Sequence, residues 1–230
     1  MQIAALLAER GFGPSGMTVL ERLGGPAEKK VTGKAHGWNK RPGADLNIVA
    51  VDCRAEPGVR AWSRAAGLPD DAFRHDGQIT KREVRAATLA ALAPLPGELL
   101  WDIGAGSGSV AIEWLRLARR TRAAALERRA DRLALIAANA SALGVPHLEI
   151  IRGEAPRALV KMPALPDAIF IGGGLSASGL IESCWKALRP GGRLVANGVT
   201  LGTEATLLAC RKRWGGTLTR LSIEREKSIG

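Results

Sequence analysis

Residues 99–109 read Leu-Leu-Trp-Asp-Ile-Gly-Ala-Gly-Ser-Gly-Ser, and this stretch decides the fold. It begins as an apolar strand, turns through three alternating glycines and leads directly into an amphipathic helix over residues 110–117. Gly104, Gly106 and Gly108 allow positive φ angles and a close approach of the backbone to a ligand. The helix N-terminus that follows leaves unpaired N–H groups directed toward the same place. The stretch therefore predicts a loop that binds a nucleotide cofactor.

The next predicted strand ends at Glu127, and this residue helps to identify the cofactor. It lies about twenty residues beyond the last glycine, where a βαβ unit places a carboxylate for ribose hydroxyls. The spacing Gly-x-Gly-x-Gly with Asp102 two residues upstream is typical of S-adenosylmethionine methyltransferases, and Asp102 would favour the cationic methionine end. Read from Gly106, the loop also fits the looser Gly-x-Gly-x-x-Ala dinucleotide pattern, so NAD remains an alternative.

Strands and helices alternate beyond residue 80, which predicts an α/β fold with a doubly wound, Rossmann-like parallel sheet of the class I S-adenosylmethionine-dependent methyltransferases. Thr80 and Glu83 form a Thr-x-x-Glu capping box that would open the first helix. The predicted strands cover residues 99–102, 123–126, 148–151, 168–171, 193–197 and 218–223, and further helices cover residues 109–118, 130–143, 178–188 and 204–214. This class normally ends in an antiparallel hairpin, of which we expect only the first strand.

The N-terminal part of the chain is rich in glycine, proline and lysine and has fewer regular elements. An opening helix and three short β-like pieces are predicted at residues 3–7, 17–20, 30–32 and 46–51. These elements are too few to bury a core of their own, so we expect a short α+β remnant of a larger domain. The predicted organisation is a remnant over residues 1–60, a linker over 61–79 and the α/β domain over 80–230. We thus expect a chain cut at both ends.

The charge balance is strongly basic, with 33 Lys and Arg against 22 Asp and Glu and a net charge of +11. Such an excess attracts anionic partners, either nucleic acid or a small polycarboxylate. Aromatic residues make up 4% of the chain and tyrosine is absent, which argues against nucleic acid. The apolar runs are too short for a membrane span or a leader, so we expect a cytoplasmic protein. The three cysteines lie far apart, and we expect no metal site.

Three segments together resemble one family, the decarboxylating precorrin-6Y methyltransferases of cobalamin biosynthesis. They are Arg-His-Asp-Gly-Gln-Ile-Thr-Lys-Arg-Glu-Val-Arg at 74–85, Trp-Asp-Ile-Gly-Ala-Gly-Ser-Gly-Ser at 101–109 and Ile-Phe-Ile-Gly-Gly-Gly at 169–174. The resemblance extends over residues 70–226. Residues 11–15, 18–26 and 45–50 look like the last part of the tetrapyrrole-methylase domain that precedes this half in the fused bacterial enzyme.

The resemblance implies two reactions on a reduced corrin precursor. One is methyl transfer from S-adenosylmethionine to carbon 15, and the other is loss of carbon dioxide from the ring C acetate. The substrate would be a small polycarboxylate tetrapyrrole, which suits the basic excess, and relatives of this half imply a homo-oligomer, a tetramer. An RNA or protein methyltransferase of the same fold, or a binding module without activity, are the alternatives.

The cofactor residues are expected on the loops that follow the first three strands of the α/β part. The glycine loop would hold the methionine and ribose, Glu127 the ribose hydroxyls, and Glu154 and Ala155 the adenine. Family likeness adds Thr80. The complete predicted set is Thr80, Gly104, Ala105, Gly106, Ser107, Gly108, Glu127, Glu154 and Ala155.

The substrate residues are expected on the first helix of the α/β part and after its fourth and fifth strands. Bare glycine at 172–174 replaces the clamp of proline and an aromatic ring that base-modifying methyltransferases carry, and so makes room for a wide, flat ligand. The predicted substrate residues are Lys81, Arg82, Arg85, Gly172, Gly173, Gly174, Asn197, Thr200 and Glu204. His75 and Asp76 are the candidate proton donors for the decarboxylation.

Overall fold

A computed structural model describes residues 2–41 and 43–226 of the chain. The chain divides between Ala61 and Trp62 into two compact units. Each of the two units has its own sheet. No helix in the described ranges is both long and apolar enough to cross a membrane.

The first unit contains helix α1 and a three-stranded antiparallel sheet in the order β2-β1-β3. The bounds are α1 Gln2–Glu9, β1 Gly16–Glu21, β2 Lys29–Lys34 and β3 Asn47–Asp52. The predicted opening helix and all three β-like pieces are therefore confirmed; α1, β1 and β2 are slightly longer than expected, and β3 begins one residue later. The buried apolar cluster of this unit consists of Ala4, Met17 and Ala35, with Leu7, Trp38, Val49 and Val51 partly buried around it.

The second unit is built on a five-stranded parallel sheet in the order β6-β5-β4-β7-β8, which confirms the doubly wound α/β fold. Its strands are β4 Leu99–Ile103, β5 Arg122–Glu127, β6 Glu149–Arg152, β7 Ala168–Ile171 and β8 Arg193–Ala196. Its helices are α2 Arg82–Leu92, α3 Ser109–Leu117, α4 Ala130–Ala142, α5 Leu180–Ala187 and α6 Leu201–Trp214.

The central strand β4 is buried along its whole length because helices cover both faces of the sheet. Helices α2, α3 and α4 cover one face of the sheet, and they contribute Leu89, Trp114 and Ile136 to the buried cluster there. On the other face, Leu180 of α5 is fully buried and Leu207 of α6 is partly buried. A strand covered on both sides reads as a continuous apolar run, which is the reason that β4 and β7 are visible in the sequence.

Two predicted features of this unit are wrong. Thr80 does not cap α2, because the helix begins at Arg82 and Lys81 occupies the N-cap without a side-chain hydrogen bond. Residues 218–223 form no helix or strand. Leu218, Leu221 and Ile223 stay 41–49% exposed, so this stretch buries no apolar face.

The stretch expected as a linker contributes to the core of the second unit from Trp62 onward. Leu68 and Phe73 are buried in the cluster beneath α2 and α3. The backbone N–H groups of Gly67 and Leu68 donate to the buried carboxylate of Glu113, at 2.6 and 3.0 Å. This stretch is therefore a packed segment of the α/β unit.

Candidate functional site

The glycine loop lies at the carboxyl end of β4, and its three glycines have different roles. All three adopt positive φ angles, +71° at Gly104, +61° at Gly106 and +76° at Gly108. A Cβ on Gly104 would lie 2.9 Å from the backbone of Gly173, and one on Gly108 would lie 3.0 Å from Ile136. A Cβ on Gly106 would meet nothing within 4 Å. The outer two glycines thus permit close packing, whereas Gly106 borders open space.

Asp102, the fourth residue of β4, is a buried carboxylate with one unsatisfied oxygen. It is 1% exposed, and its Oδ2 accepts the N–H of Ala111 in the first turn of α3 at 3.1 Å. Among the described residues its Oδ1 has no hydrogen-bond partner, and the same is true of the Ser107 hydroxyl. Burial, together with the negative charge of Glu127, raises the pKa of Asp102 to about 7.

Glu127 ends β5 and is held directly by the glycine loop. Its Oε2 accepts the N–H of Gly106 at 3.0 Å, and its Oε1 accepts those of Arg128 and Arg129 at 2.9 and 3.0 Å. The residue is 4% exposed. The carboxylate is therefore held next to the glycine loop. The spacing along the sequence suggested this neighbourhood but could not give the position of the carboxylate.

The triple glycine follows β7, the other neighbour of β4 in the sheet. Gly172 donates its N–H to the carbonyl of Ile103 at 3.0 Å, which brings the triplet beside the glycine loop. A Cβ on Gly172 would lie 2.7 Å from the ring of Phe170, whereas one on Gly173 would make only ordinary contacts, the nearest at 3.6 Å. The structure thus brings together three elements that the sequence separates, namely the glycine loop, Glu127 and the triplet.

The segment over residues 74–80 carries both candidate proton donors, and the structure pairs Asp76 with two arginines of α4 and its N-terminus. Arg132 donates to Asp76 at 2.8 and 2.9 Å, and Arg129 lies 3.4 Å away. The hydrogen bonds from Arg132 and from the backbone N–H of Gln78 hold the pKa of Asp76 below its usual value. His75 is exposed, and its Nδ1 accepts the N–H of Gly77 at 3.1 Å.

Arg85 was expected to contact the substrate, and the structure places it in the core instead of on the surface. The side chain is fully buried, and its Nε donates to Glu113 at 2.6 Å. Its other nitrogens bond to Asp70 at 3.2 Å and to the carbonyl oxygens of Thr80 and Leu68. The guanidinium is consumed by internal partners, because a buried charge must be paired. Arg85 therefore holds the segment before α2 against α3.

The other expected substrate residues lie on the surface or bind neighbouring elements. Lys81 is exposed, with its Nζ 3.9 Å from Asp70, and Arg82 donates to the carbonyl of Gly67 at 2.8 Å. Asn197 follows β8 and donates to the Thr88 hydroxyl of α2 at 3.0 Å. The remaining two residues belong to α6, where Thr200 forms the N-cap and Glu204 pairs with Arg220.

The two residues expected beside the adenine follow β6. Glu154 is exposed, and its carboxylate accepts a hydrogen bond from Arg128, which follows Glu127, at 3.3 Å. Ala155 is partly buried and packs against the core on the α5 and α6 face of the sheet. This loop therefore lies next to the carboxyl end of β5.

Sequence reasoning missed two polar residues on α4, Arg132 and Asn139. Arg132 binds Asp76 and Gln78, and Asn139 binds the backbone of Arg74 and Ser107. Their spacing of seven residues, with the fully buried Ile136 between them, places both on the inner face of the helix. A polar residue in phase with buried positions is the signal that would have identified Asn139.

The acidic residues, histidines and cysteines are the candidate metal ligands of the chain. Within residues 2–41 and 43–226, no group of three His, Cys, Asp or Glu side chains is arranged to hold a metal ion. Cys184 is buried, which raises the pKa of its thiol to about 12. That thiol is therefore neutral.

Comparison with known proteins gives a consistent result. A family model described as a precorrin methyltransferase domain matches residues 71–230. The chain is 50% identical to the precorrin-6Y C(5,15)-methyltransferase [decarboxylating] of Sinorhizobium sp, over 99% of this chain and 55% of that protein. It is 47% identical to the protein of the same name from Mycobacterium tuberculosis strain CDC 1551 / Oshkosh, over 95% of this chain and 54% of that protein. The chain thus spans about half the length of these curated relatives.

A solved structure is similar as well. The crystal structure of the C-terminal domain of precorrin-6Y C5,15-methyltransferase from Rhodobacter capsulatus is 48% identical in sequence, with a TM-score of 0.68. The similarity covers 73% of this chain and 90% of that one.

Proposed function

The chain belongs to the precorrin methyltransferase domain family, and we propose that its second unit methylates carbon 15 of a precorrin with S-adenosylmethionine and removes the ring C acetate carboxyl as carbon dioxide. The observation that carries this proposal is the direct backbone contact between Gly104 of the glycine loop and Gly173 of the triplet. The cofactor loop and a stretch without side chains are thus adjacent. This arrangement suits a nucleoside against the loop and a broad planar ring against the triplet.

The residues around the glycine loop fit S-adenosylmethionine. The open space beside Gly106 admits a ligand against the backbone, where Ala105, Ser107 and Gly108 would contribute further contacts. The Oε2 of Glu127 accepts one backbone N–H and has capacity left for a ribose hydroxyl. The unsatisfied Oδ1 of Asp102 is a second acceptor, suited to the cationic methionine end. We place Glu154 and Ala155 beside the adenine and Thr80 against the cofactor.

When bound, the cofactor would supply an electrophilic methyl group on a sulfonium. The residues of this chain would hold carbon 15 in line with it, so that positioning contributes most of the rate and no metal is needed. We place Gly172, Gly173 and Gly174 under the tetrapyrrole ring, with Lys81, Asn197 and Thr200 at its edge. Lys81 is exposed and could pair with a substrate carboxylate.

The decarboxylation breaks the bond between the acetate methylene carbon and its carboxyl, and the methylene carbon then takes up a proton. The conjugated ring can accept the electrons left by carbon dioxide. We propose His75 as the proton donor, since its ring is exposed on the segment that Asn139 links to the glycine loop. Asp76 instead anchors that segment as a carboxylate.

Calorimetry on the 230-residue chain tests the cofactor and substrate classes together. We expect S-adenosylmethionine to bind and NADH not to bind, and we expect a polycarboxylate tetrapyrrole, but not RNA, to strengthen the binding of S-adenosylmethionine. Mass spectrometry of the tetrapyrrole should then show the gain of one methyl group and the loss of one carboxyl group. Binding of NADH alone, or strengthening by RNA alone, would contradict the proposal. The resemblance also leads us to propose a homotetramer, which sedimentation would test.

A further inference from the structure

Asn139 connects two segments that are far apart in the sequence. It lies on α4 and is 2% exposed. Its Oδ1 accepts the N–H of Arg74 at 2.8 Å, and its Nδ2 donates to the carbonyl of Arg74 at 2.9 Å. The same Nδ2 also donates to the carbonyl of Ser107 in the glycine loop at 2.9 Å. One buried side chain thus holds the start of the 74–80 segment and the glycine loop together.

The chemistry of these three bonds requires an amide of this length. A carboxylate could accept the N–H of Arg74 but could donate to neither carbonyl, and it would repel both. An apolar side chain would leave three backbone groups without this partner, including the Ser107 carbonyl, whose bond to Asn139 is buried. Glutamine has the right groups but an additional methylene in a packed position. The identity of the side chain is therefore set by these two segments.

The same face of α4 holds the 74–80 segment at a second, more exposed point. Arg132, seven residues before Asn139, donates to the carboxylate of Asp76 and, at 2.5 Å, to the side-chain oxygen of Gln78. Ile136 lies between them and packs against Gly108. One face of helix α4 therefore contacts both segments. Ile136 and Asn139 contact the glycine loop, and Arg132 and Asn139 bind the 74–80 segment.

We propose that Asn139 is a positioning residue for the methyl-transfer site, which makes the glycine loop and the 74–80 segment respond as one unit when the cofactor binds. This inference rests on the proposed function. Its physical basis is that backbone segments tied by a buried side chain open together, whereas untied surface segments open independently. His75 and Thr80, both on the tied segment, are thereby held at a fixed place relative to the loop.

Hydrogen exchange of the 230-residue chain, with and without S-adenosylmethionine, tests the coupling. In the unmodified chain we expect the ligand to slow exchange in both residues 104–108 and residues 74–80. In Asn139→Ala the slowing should persist in the glycine loop and disappear in residues 74–80, and the Kd for S-adenosylmethionine should rise about tenfold. Val145→Ala is the control, because it removes methyl groups from the same core cluster and breaks none of the Asn139 hydrogen bonds.

The outcomes separate this inference from the proposed function. If S-adenosylmethionine slows exchange nowhere in the unmodified chain, both fail. If it slows exchange in both segments of Asn139→Ala as it does in the unmodified chain, only the positioning role is wrong. The same holds if Val145→Ala loses the coupling to an equal degree, since the effect then reflects general loosening. Should Asn139→Ala not fold, Asn139→Ser leaves a smaller change and serves for the same comparison.

Discussion

The substitution Asp102→Asn should stabilise the second unit at neutral and higher pH while weakening its binding of a cationic ligand. Asp102 is buried, one of its oxygens lacks a partner, and the charge of Glu127 acts on it. An ionised carboxylate in this place costs folding free energy, because it has left water without full compensation. Asparagine is neutral and of the same shape, and its oxygen can still accept the N–H of Ala111.

The magnitude follows from the pKa of Asp102. The pKa rises from 3.8 to about 7 in the folded chain. A difference of one in pKa corresponds to about 1.4 kcal/mol, so the ionised carboxylate lowers the folding stability by about 4 kcal/mol. Because the folded state binds the Asp102 proton more tightly than the unfolded state, the contribution of Asp102 to stability is most favourable below about pH 4 and falls as the pH rises to about 7. Above that pH the contribution is constant. Asp102→Asn should lack this loss entirely.

Urea unfolding at about pH 5 and about pH 8, followed by tryptophan fluorescence, to which the buried Trp101 and Trp114 contribute, measures the effect. The stability gap between Asp102→Asn and the unmodified chain should widen in favour of the variant at the higher pH. Asp131→Asn is the matched control, since Asp131 is exposed and the ion pair with Arg129 lowers its pKa. If the two chains lose stability equally between the two pH values, the reasoning about Asp102 is refuted. Calorimetry should show weaker S-adenosylmethionine binding by the stabilised variant, as is common when a strained functional group is replaced.

Three further substitutions test the other parts of the site. Glu127→Gln should lower the affinity for S-adenosylmethionine about 10- to 100-fold, because an amide nitrogen cannot accept the loop N–H groups. Calorimetry measures this affinity, and an unchanged Kd would argue against Glu127 as a ligand. Arg85→Ala should lower the free energy of unfolding by about 3–5 kcal/mol, since it leaves the buried Glu113 without its guanidinium partner. A loss below about 1 kcal/mol, as is usual for an exposed ion pair, would contradict the buried network. Gly173→Ala should leave the stability of the chain and its cofactor binding unchanged while weakening tetrapyrrole binding, because its Cβ would make only an ordinary contact inside the protein. Gly104→Ala should lower stability, since its Cβ would lie 2.9 Å from Gly173. An equal loss of stability in Gly173→Ala would show that the triplet serves packing alone.

The sequence was most informative where local pattern and tertiary environment agree. The run at 168–171 is apolar on both faces and ends at glycine, and β7 has the same bounds. The carboxylate at Glu127 was predicted from the spacing of a βαβ unit, and the structure places it within hydrogen-bond distance of the loop. Both features depend on the regular geometry of parallel strands, which spacing along the chain reflects.

The sequence was least informative where a partner distant in sequence decides what a polar side chain does. Arg85 looks like one of several basic residues on a helix, and only Glu113, 28 residues later, makes it a core residue. Asp76 looks like an unpaired acid on a loop until Arg132, 56 residues later, pairs with it. The absent strand at 218–223 is similar, because a strand needs a neighbouring strand or a face to cover, and the sequence does not specify one.

The buried polar groups of the second unit have a common arrangement that bears on how it would bind ligands. Glu113, Glu127 and Asn139 all accept backbone N–H groups of loop residues, and Asp102 accepts one from the first turn of α3. Each such bond holds a loop in place through its backbone. The glycines of the loop can therefore remain without side chains of their own to anchor them. Fixing these loops in advance removes an ordering cost that a ligand would otherwise meet on binding. The glycine loop thus presents bare backbone in a position fixed by buried side chains, and this combination suits the proposed planar substrate, which must be held in line with a small reacting group.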